Sequence, residues 1–208
     1  MASAHFQLNS TQTALAFLVP LHLQTEINSL RKIHDKAYTK WQPHFNILYP
    51  FVDPSLLASA VAIIRETLQS EAAVHPIELN TNEVGTFKHR RNATIFLKPS
   101  AEPEEQVCEL RRVLVKALGC DESEGTRDGI FRPHLSIGQA GLQGNSVERL
   151  LEQAMKLASV GWKAMTLVVL KRQESGEMMV VDELRIESLD EDEPESKGHD
   201  RGSCWESN

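Results

Sequence analysis

The sequence predicts an α+β fold built from a duplicated lobe, with two motif strands side by side at one cleft. Three observations predict it. Short apolar or alternating stretches, punctuated by Pro and Gly, alternate with longer stretches of helical period. The order strand, helix, motif strand, helix occurs twice along the chain. A length of 208 residues with 41% hydrophobic content suits one substantial core, or two small lobes sharing an interface.

Taken in order, Ala14 to Val19 is an apolar run stopped by Pro20 and reads as a buried strand. Thr25 to Lys36 places Ile27, Leu30, Ile33 and His34 on one helical face. A strand follows with Pro43-His44-Phe45-Asn46-Ile47. Asp53-Pro54 offers an N-cap and a first-turn proline to a helix whose apolar stripe is Leu56, Leu57, Ala60, Ile63, Ile64 and Leu68. Ile77 to Phe87 and Asn92 to Leu97 read as strands around the basic turn Lys88-His89-Arg90-Arg91. Glu102 to Leu118 is a second long amphipathic helix, with Arg111 and Arg112 expected on its exposed face. After a polar loop, Cys120 to Gly129, comes a strand with Pro133-His134-Leu135-Ser136-Ile137. A helix at about Ser146 to Ser159 and strands Met165 to Arg172 and Met178 to Ile186, joined by a Glu-Ser-Gly-Glu turn, complete the body.

Internal similarity ties these elements together. Ala14 to Pro20 (ALAFLVP) and Ala93 to Pro99 (ATIFLKP) match at Ala, Phe, Leu and Pro with an offset of 79, whereas the motif histidines are offset by 90. The second half therefore carries about eleven extra residues in the loop before its motif. Two such lobes about a pseudo-two-fold axis bring the motif strands side by side.

Strand alternation selects the side chains that face the cleft. His44 and Asn46 share one face while Phe45 and Ile47 point to the core, and His134, Ser136 and Gly138 share the corresponding face of the second lobe. Each lobe thus offers an imidazole and a short hydrogen-bonding group. An imidazole serves as base or acid near neutral pH, so two across one cleft can supply both functions to one reaction. Asn46 and Ser136 can donate hydrogen bonds to oxygens on which charge develops. The pseudo-symmetry leaves open which histidine is the acid.

The paired His-x-polar motifs resemble those of the two-histidine (2H) phosphoesterase superfamily, which includes 2′-5′ RNA ligase and cyclic phosphodiesterases. The resemblance spans about Ala14 to Ile186. It extends to Gly85 to Pro99 (GTFKHRRNATIFLKP), similar to the family's Gly-x-Phe turn and following strand, and to the second motif FRPHLSIGQ. It implies a bilobal α+β fold with antiparallel sheets lining a central cleft and helices on the outside, and His44 and His134 as the catalytic pair of a metal-independent phosphodiesterase without cofactor: one imidazole takes a proton from the attacking oxygen, the other gives one to the leaving oxygen, and Asn46 and Ser136 donate to the non-bridging oxygens. The substrate would be an RNA end, a 2′,3′-cyclic phosphate, a 2′-5′ linkage or an ADP-ribose cyclic phosphate. The alternative is a non-catalytic module that holds RNA ends in the same cleft. One departure stands out: Asn46 occupies a position where the family usually has Thr or Ser, which implies altered geometry and specificity.

Further candidates for substrate contact are Tyr49 and Arg132, which flank the motifs, and Lys88, His89 and Arg91 of the basic turn. The other histidines have no ligand-like spacing, so no metal site is expected. No phosphate-cradling glycine loop or dinucleotide fingerprint is present. The net charge of -7 is concentrated at the end: residues 187–208 carry eight acids against Lys197 and Arg201, about -6. The chain is therefore expected to divide into one bilobal domain over residues 1–186, near neutral, and an acidic disordered tail over 187–208. Three unpaired-looking cysteines, with no leader and no spanning segment, suggest an intracellular protein, cytoplasmic or nuclear. A monomer acting on a nucleotide or short RNA, with no membrane partner, is the expectation.

Overall fold

The computed structural model describes residues 6–187 except 127 and 158; the expected acidic tail lies outside the described residues but for Glu187. Eight strands, β1 (Thr13–Leu18), β2 (His44–Leu48), β3 (Ile77–Lys88), β4 (Asn92–Pro99), β5 (Leu135–Gly141), β6 (Gly161–Ala164), β7 (Thr166–Arg172) and β8 (Met178–Arg185), form one sheet. Its order is β6-β3-β4-β5-β2-β1-β7-β8, and the pairings are antiparallel. Among the described residues four α-helices accompany it: α1 (Gln24–His34), α2 (Leu57–Ser70), α3 (Ala101–Ala117) and α4 (Ser146–Met155). The expected α+β architecture is present, as a single curved sheet with two halves.

The halves meet where β2 pairs with β5 through Phe45 and Leu135. On either side the order mirrors itself: β5-β4-β3 one way, β2-β1-β7 the other. The third strand of each repeat is exchanged, since β3 follows α2 in the first repeat yet pairs with β4 of the second, and β7 returns to β1. The helices cross the seam as well: α1 packs on β5, and α3 reaches β2 as well as its own β4. Gly138 marks the tightest approach of α1, because a Cβ there would stand 2.5 Å from His34 Cβ. Ile47, Ile95, Leu97, Leu114, Leu135 and Ile137, all buried, belong to the core between helices and sheet. Cutting one such side chain to Ala in a core packed this closely costs about 2–5 kcal/mol.

Register corrects the sequence reading in an informative way. In β2 the pairing passes from Asn46 opposite Ala16 to Leu48 opposite Leu15, so Ile47 is an extra, bulged residue. In β5 it passes from Ser136 opposite Phe96 to Gly138 opposite Ile95, and Ile137 is the bulge. The repeated isoleucine is thus the bulged position in each half, and beyond it the alternation slips by one. Gly138 accordingly turns against α1 instead of sharing the face of His134 and Ser136, and Gln139 takes the cleft position. The registers also make Ala16 the counterpart of Phe96, an offset of 80. The letter match at 79 is one residue out: Phe17 lies in the main core, while Phe96 faces the cleft.

Other boundaries shift for local reasons. Asp53 Oδ1 accepts the Ser55 N–H at 2.9 Å in a turn that precedes α2, so the helix begins at Leu57. Ile33, expected on the apolar face of α1, is 74% exposed, and the buried position on that helix is taken by Arg31. The strand β6 arises because Gly161–Ala164 pairs with the start of β3, before β7 begins at Thr166. Gly85 and Phe87 lie inside β3, as the strand reading of Ile77 to Phe87 expects and unlike the Gly-x-Phe turn of the resemblance.

Candidate functional site

Antiparallel pairing at Phe45 and Leu135 sets His44 across from Ser136 and Asn46 across from His134. The two histidines are therefore diagonal neighbours on one face, with Cα atoms roughly 7–8 Å apart by sheet geometry. Each follows a buried proline and each is anchored identically. His44 Nδ1 lies 2.6 Å from the carbonyl of Gln42, and His134 Nδ1 lies 2.8 Å from that of Arg132. A carbonyl can only accept, so each Nδ1 carries the proton and each Nε2 is left as the reactive atom. The match extends along the backbone, because Trp41 to Tyr49 and Phe131 to Gln139 share the same sequence of buried, half-buried and exposed positions.

The surroundings differ. Trp41 stacks on His44 with centroids 4.5 Å apart, and Asn46 Nδ2 lies 3.0 Å from its Nε2. Burial, then the nearby Arg31 charge and His134, outweigh the Gln42 hydrogen bond and Asp35 and push the His44 pKa down to about 4. His134 meets Phe87 and Phe96 edge-on at 4.9 and 5.3 Å, and no group among the described residues hydrogen-bonds its Nε2. Burial lowers its pKa too, against the Arg132 carbonyl bond that raises it. Gly85 makes this aromatic pair fit, since a Cβ at that position would fall 2.4 Å from the Phe96 ring.

A cleft of about 1020 Å³ opens beside the pair. Its floor includes Asn46, Ser136, Gln139 and His134, its far side Phe87 and Thr94, and its wall the loop that ends at Arg132. The extra residues of the second repeat thus build one side of the cleft. His44 does not line it; Asn46 stands there, and the first half of the sheet's face is filled by Ala14, Ala16, Val168, Leu170 and Met178 packed with Trp41 and Tyr49.

This arrangement matches known proteins. A sequence profile of the 2′-5′ RNA ligase superfamily aligns with residues 19–176. The chain belongs to that superfamily. Among its relatives is a Staphylococcus aureus (strain JH1) protein provisionally named a phosphoesterase, 26% identical over 184 residues that cover 88% of this chain and 93% of that protein. Among solved structures, E. coli LigT complexed with 3′-AMP is 11% identical with a TM-score of 0.55, over 86% of this chain and 99% of that one. A Thermus thermophilus protein gives 0.52 at 15% identity, over 84% and 97%. These structures share the superfamily fold, and the resemblance to two-histidine phosphoesterases stands.

The flanking candidates divide. Tyr49 and Arg132 line the cleft, but both are engaged: the Tyr49 hydroxyl accepts from Arg172 at 3.2 Å, and Arg132 is paired with Asp128 at 2.9 Å. Lys88 and His89 reach the cleft, with His89 Nε2 3.0 Å from Thr94 Oγ1. Arg91 is exposed and does not line it.

Arg111, expected on an exposed face, is 5% exposed and borders the cleft. It donates to the carbonyls of Glu122 (2.9 Å) and Glu124 (2.6 Å) and lies over Phe131 at 5.0 Å, which fixes the cleft loop. Its counterpart at offset 80 is Arg31, which is 2% exposed and paired with Asp35 at 2.8 Å. The chain does carry a signal for it: Leu30-Arg31-Lys32 and Leu110-Arg111-Arg112 repeat at the structural offset. Among the described residues no three His, Cys, Asp or Glu side chains gather as a metal site, and no helix is long and apolar enough to cross a membrane.

Proposed function

We propose that the protein is a metal-independent phosphodiesterase acting on RNA ends or cyclic phosphates by two-histidine acid–base catalysis. The observation that carries this reading is the pair of imidazoles on adjacent antiparallel strands, each pinned through Nδ1 so that Nε2 is the reactive atom. Their unequal surroundings support a division of labour. His44, held neutral, removes a proton from the attacking water or hydroxyl as its oxygen bonds to phosphorus. His134, protonated once a bound phosphate anion offsets its desolvation, gives its Nε2 proton to the leaving oxygen as the old P–O bond breaks. Ser136 and an amide N–H of Asn46 donate to the non-bridging oxygens. Phe87, Tyr49 and Phe131 offer faces to a nucleobase, and Lys88 offers an ammonium group and His89 its imidazole to a phosphate.

The known relatives fit a nucleotide substrate: the neighbouring LigT has been solved with 3′-AMP. We assign the bilobal domain to residues 1–186 and expect a monomer inside the cell. The test is turnover on a panel of 2′,3′-cyclic nucleotides, short 2′-5′ and 3′-5′ oligonucleotides and ADP-ribose cyclic phosphate, in the presence of a strong chelator. Chelator-resistant turnover of at least one is expected. Tight binding of RNA ends without turnover would instead identify a recognition module, and activity lost to chelator and restored by zinc or manganese would overturn the two-histidine mechanism.

A further inference from the structure

Asn46 stands where the second repeat has Ser136, and its geometry differs from that of a simple phosphate donor. Its Nδ2 lies 3.0 Å from His44 Nε2, while its Oδ1 is buried with no hydrogen-bond partner among the described residues. Because His44 Nδ1 already donates to the Gln42 carbonyl, the only lone pair on the ring is at Nε2. An amide N–H pointing at that atom is compatible with the neutral ring alone. Turned over, the amide would present Oδ1 and accept from an Nε2–H, which is compatible with the imidazolium alone. A hydroxyl at this position does not make the same selection, since it both donates and accepts.

From this geometry we infer that Asn46 is a positioning residue that fixes His44 as the neutral Nδ1–H tautomer, covers its lone pair in the free protein, and so makes the first repeat the base side of the site. The inference rests on the two-histidine reading given above. A bound phosphate that accepts the amide N–H frees the lone pair for the attacking hydroxyl. When Nε2 then takes the proton, the amide N–H stays on the phosphate oxygen and no longer opposes the charge on the ring. The groups facing His44 work in the same sense. Arg31 of α1 is paired with Asp35 behind the ring, Trp41 covers one face, and His134 approaches from β5. Arg31 and His134 disfavour a second positive charge, Asp35 favours one, and burial is the largest influence against it.

The test uses the full chain with ¹⁵N-labelled histidine and follows the His44 ring nitrogens by NMR as pH is varied. The wild type should give the neutral Nδ1–H tautomer and titrate well below pH 6.5. Asn46→Ser removes the directed donor and should raise the titration midpoint by about half to one pH unit, given the modest net strength of one neutral hydrogen bond. Asn46→Asp substitutes an acceptor and should raise it by about one to three. The acid limb of kcat/KM should move with the ring, so that near pH 6 the aspartate variant loses up to roughly tenfold, the full loss being reached when the midpoint moves by about three units from about 4.

A wild-type ring protonated at Nε2 would overturn the inference. So would a His44 titration that stays in place in both variants while only KM rises, the result for a phosphate contact. If Asn46→Asp does not fold, the serine variant decides alone. If no phosphodiester is turned over at all, the proposed function fails, yet the tautomer and its titration still decide the role of Asn46.

Discussion

Trp41 lies flat on His44, whereas Phe87 and Phe96 meet His134 edge-on. The backbone around the two rings is the same, down to the carbonyl two residues upstream and the bulged isoleucine. What differs is the residue on the neighbouring strand: Ala16 beside the first motif, Phe96 beside the second. A methyl group leaves space that Trp41 and the β7 and β8 side chains fill. A phenyl ring props the other side open, over a glycine that has no side chain to dispute its position. A duplicated scaffold has thus been given two unlike environments by side-chain volume, one filled and one open. Equivalent histidines are thereby fitted to inequivalent tasks.

The largest expected effect tests whether the tasks belong to one transition state. His44→Ala and His134→Ala should each lower kcat on the order of a hundred- to ten-thousandfold, and the double variant should be little worse than the less active single variant. Losses that add in the double variant would mean that the two rings lower the barrier independently and not as a coupled pair. Ser136→Ala should lose less, below the roughly hundred- to thousandfold that removal of one oxyanion donor brings, because this cleft is open to water.

Next in size is a pH comparison. The free protein needs His44 neutral and His134 protonated, so kcat/KM should rise as pH passes about 4 and fall again before pH 6.5. Trp41→Ala returns water to His44 and should move the acid limb up, lowering the rate at pH 5 about tenfold for each pH unit that the limb travels beyond 5. Phe96→Ala should move the alkaline limb up instead. If both variants displace the same limb, the two environments are not independent.

The smallest effect is on stability. With a folded pKa of about 4 against an unfolded 6.5, His44 leaves the unfolded chain binding more protons between those values. Its contribution is therefore complete above pH 6.5 and lost as pH falls toward 4. The loss is up to about 3 kcal/mol, less the solvent screening of a half-buried ring. Urea titrations at pH 7 and pH 5 should show a smaller difference for His44→Gln than for the wild type.

Much of this architecture is legible in the chain. Period and Pro or Gly punctuation locate β1, β2, β4, β7 and β8 and the helices to within a few residues, because those signals are local. The repeated Pro-His pattern brings His44, Asn46, His134 and Ser136 to adjacent strands, because alternation holds up to a bulge. It fails one residue later, since a bulge leaves no mark in composition, and Gln139 replaces Gly138 in the cleft. Arg111 escapes a reading by period because a guanidinium is usually solvated, and the carbonyls that hold it come from a loop with no periodicity. The letter match at 79 hides the offset of 80 at which Arg31, Arg111, Ala16 and Phe96 fall into correspondence. The stacking of Trp41 on His44 depends on that correspondence and is invisible without it.

The exchange of β3 and β7 between the repeats also governs how the chain must assemble. Thr13 pairs with Lys171, so β1 gains its outer neighbour only when nearly the whole chain has been made. Such non-local pairing predicts slow folding for a protein of this size. It also predicts that neither repeat is a folding unit. A chain severed in the turn at Arg90 leaves β3 in one fragment without β4, and β7 in the other without β1. Separately the fragments should remain soft and sticky at their unpaired strands, and mixing them should restore the fold by complementation, with each fragment serving as the other's template.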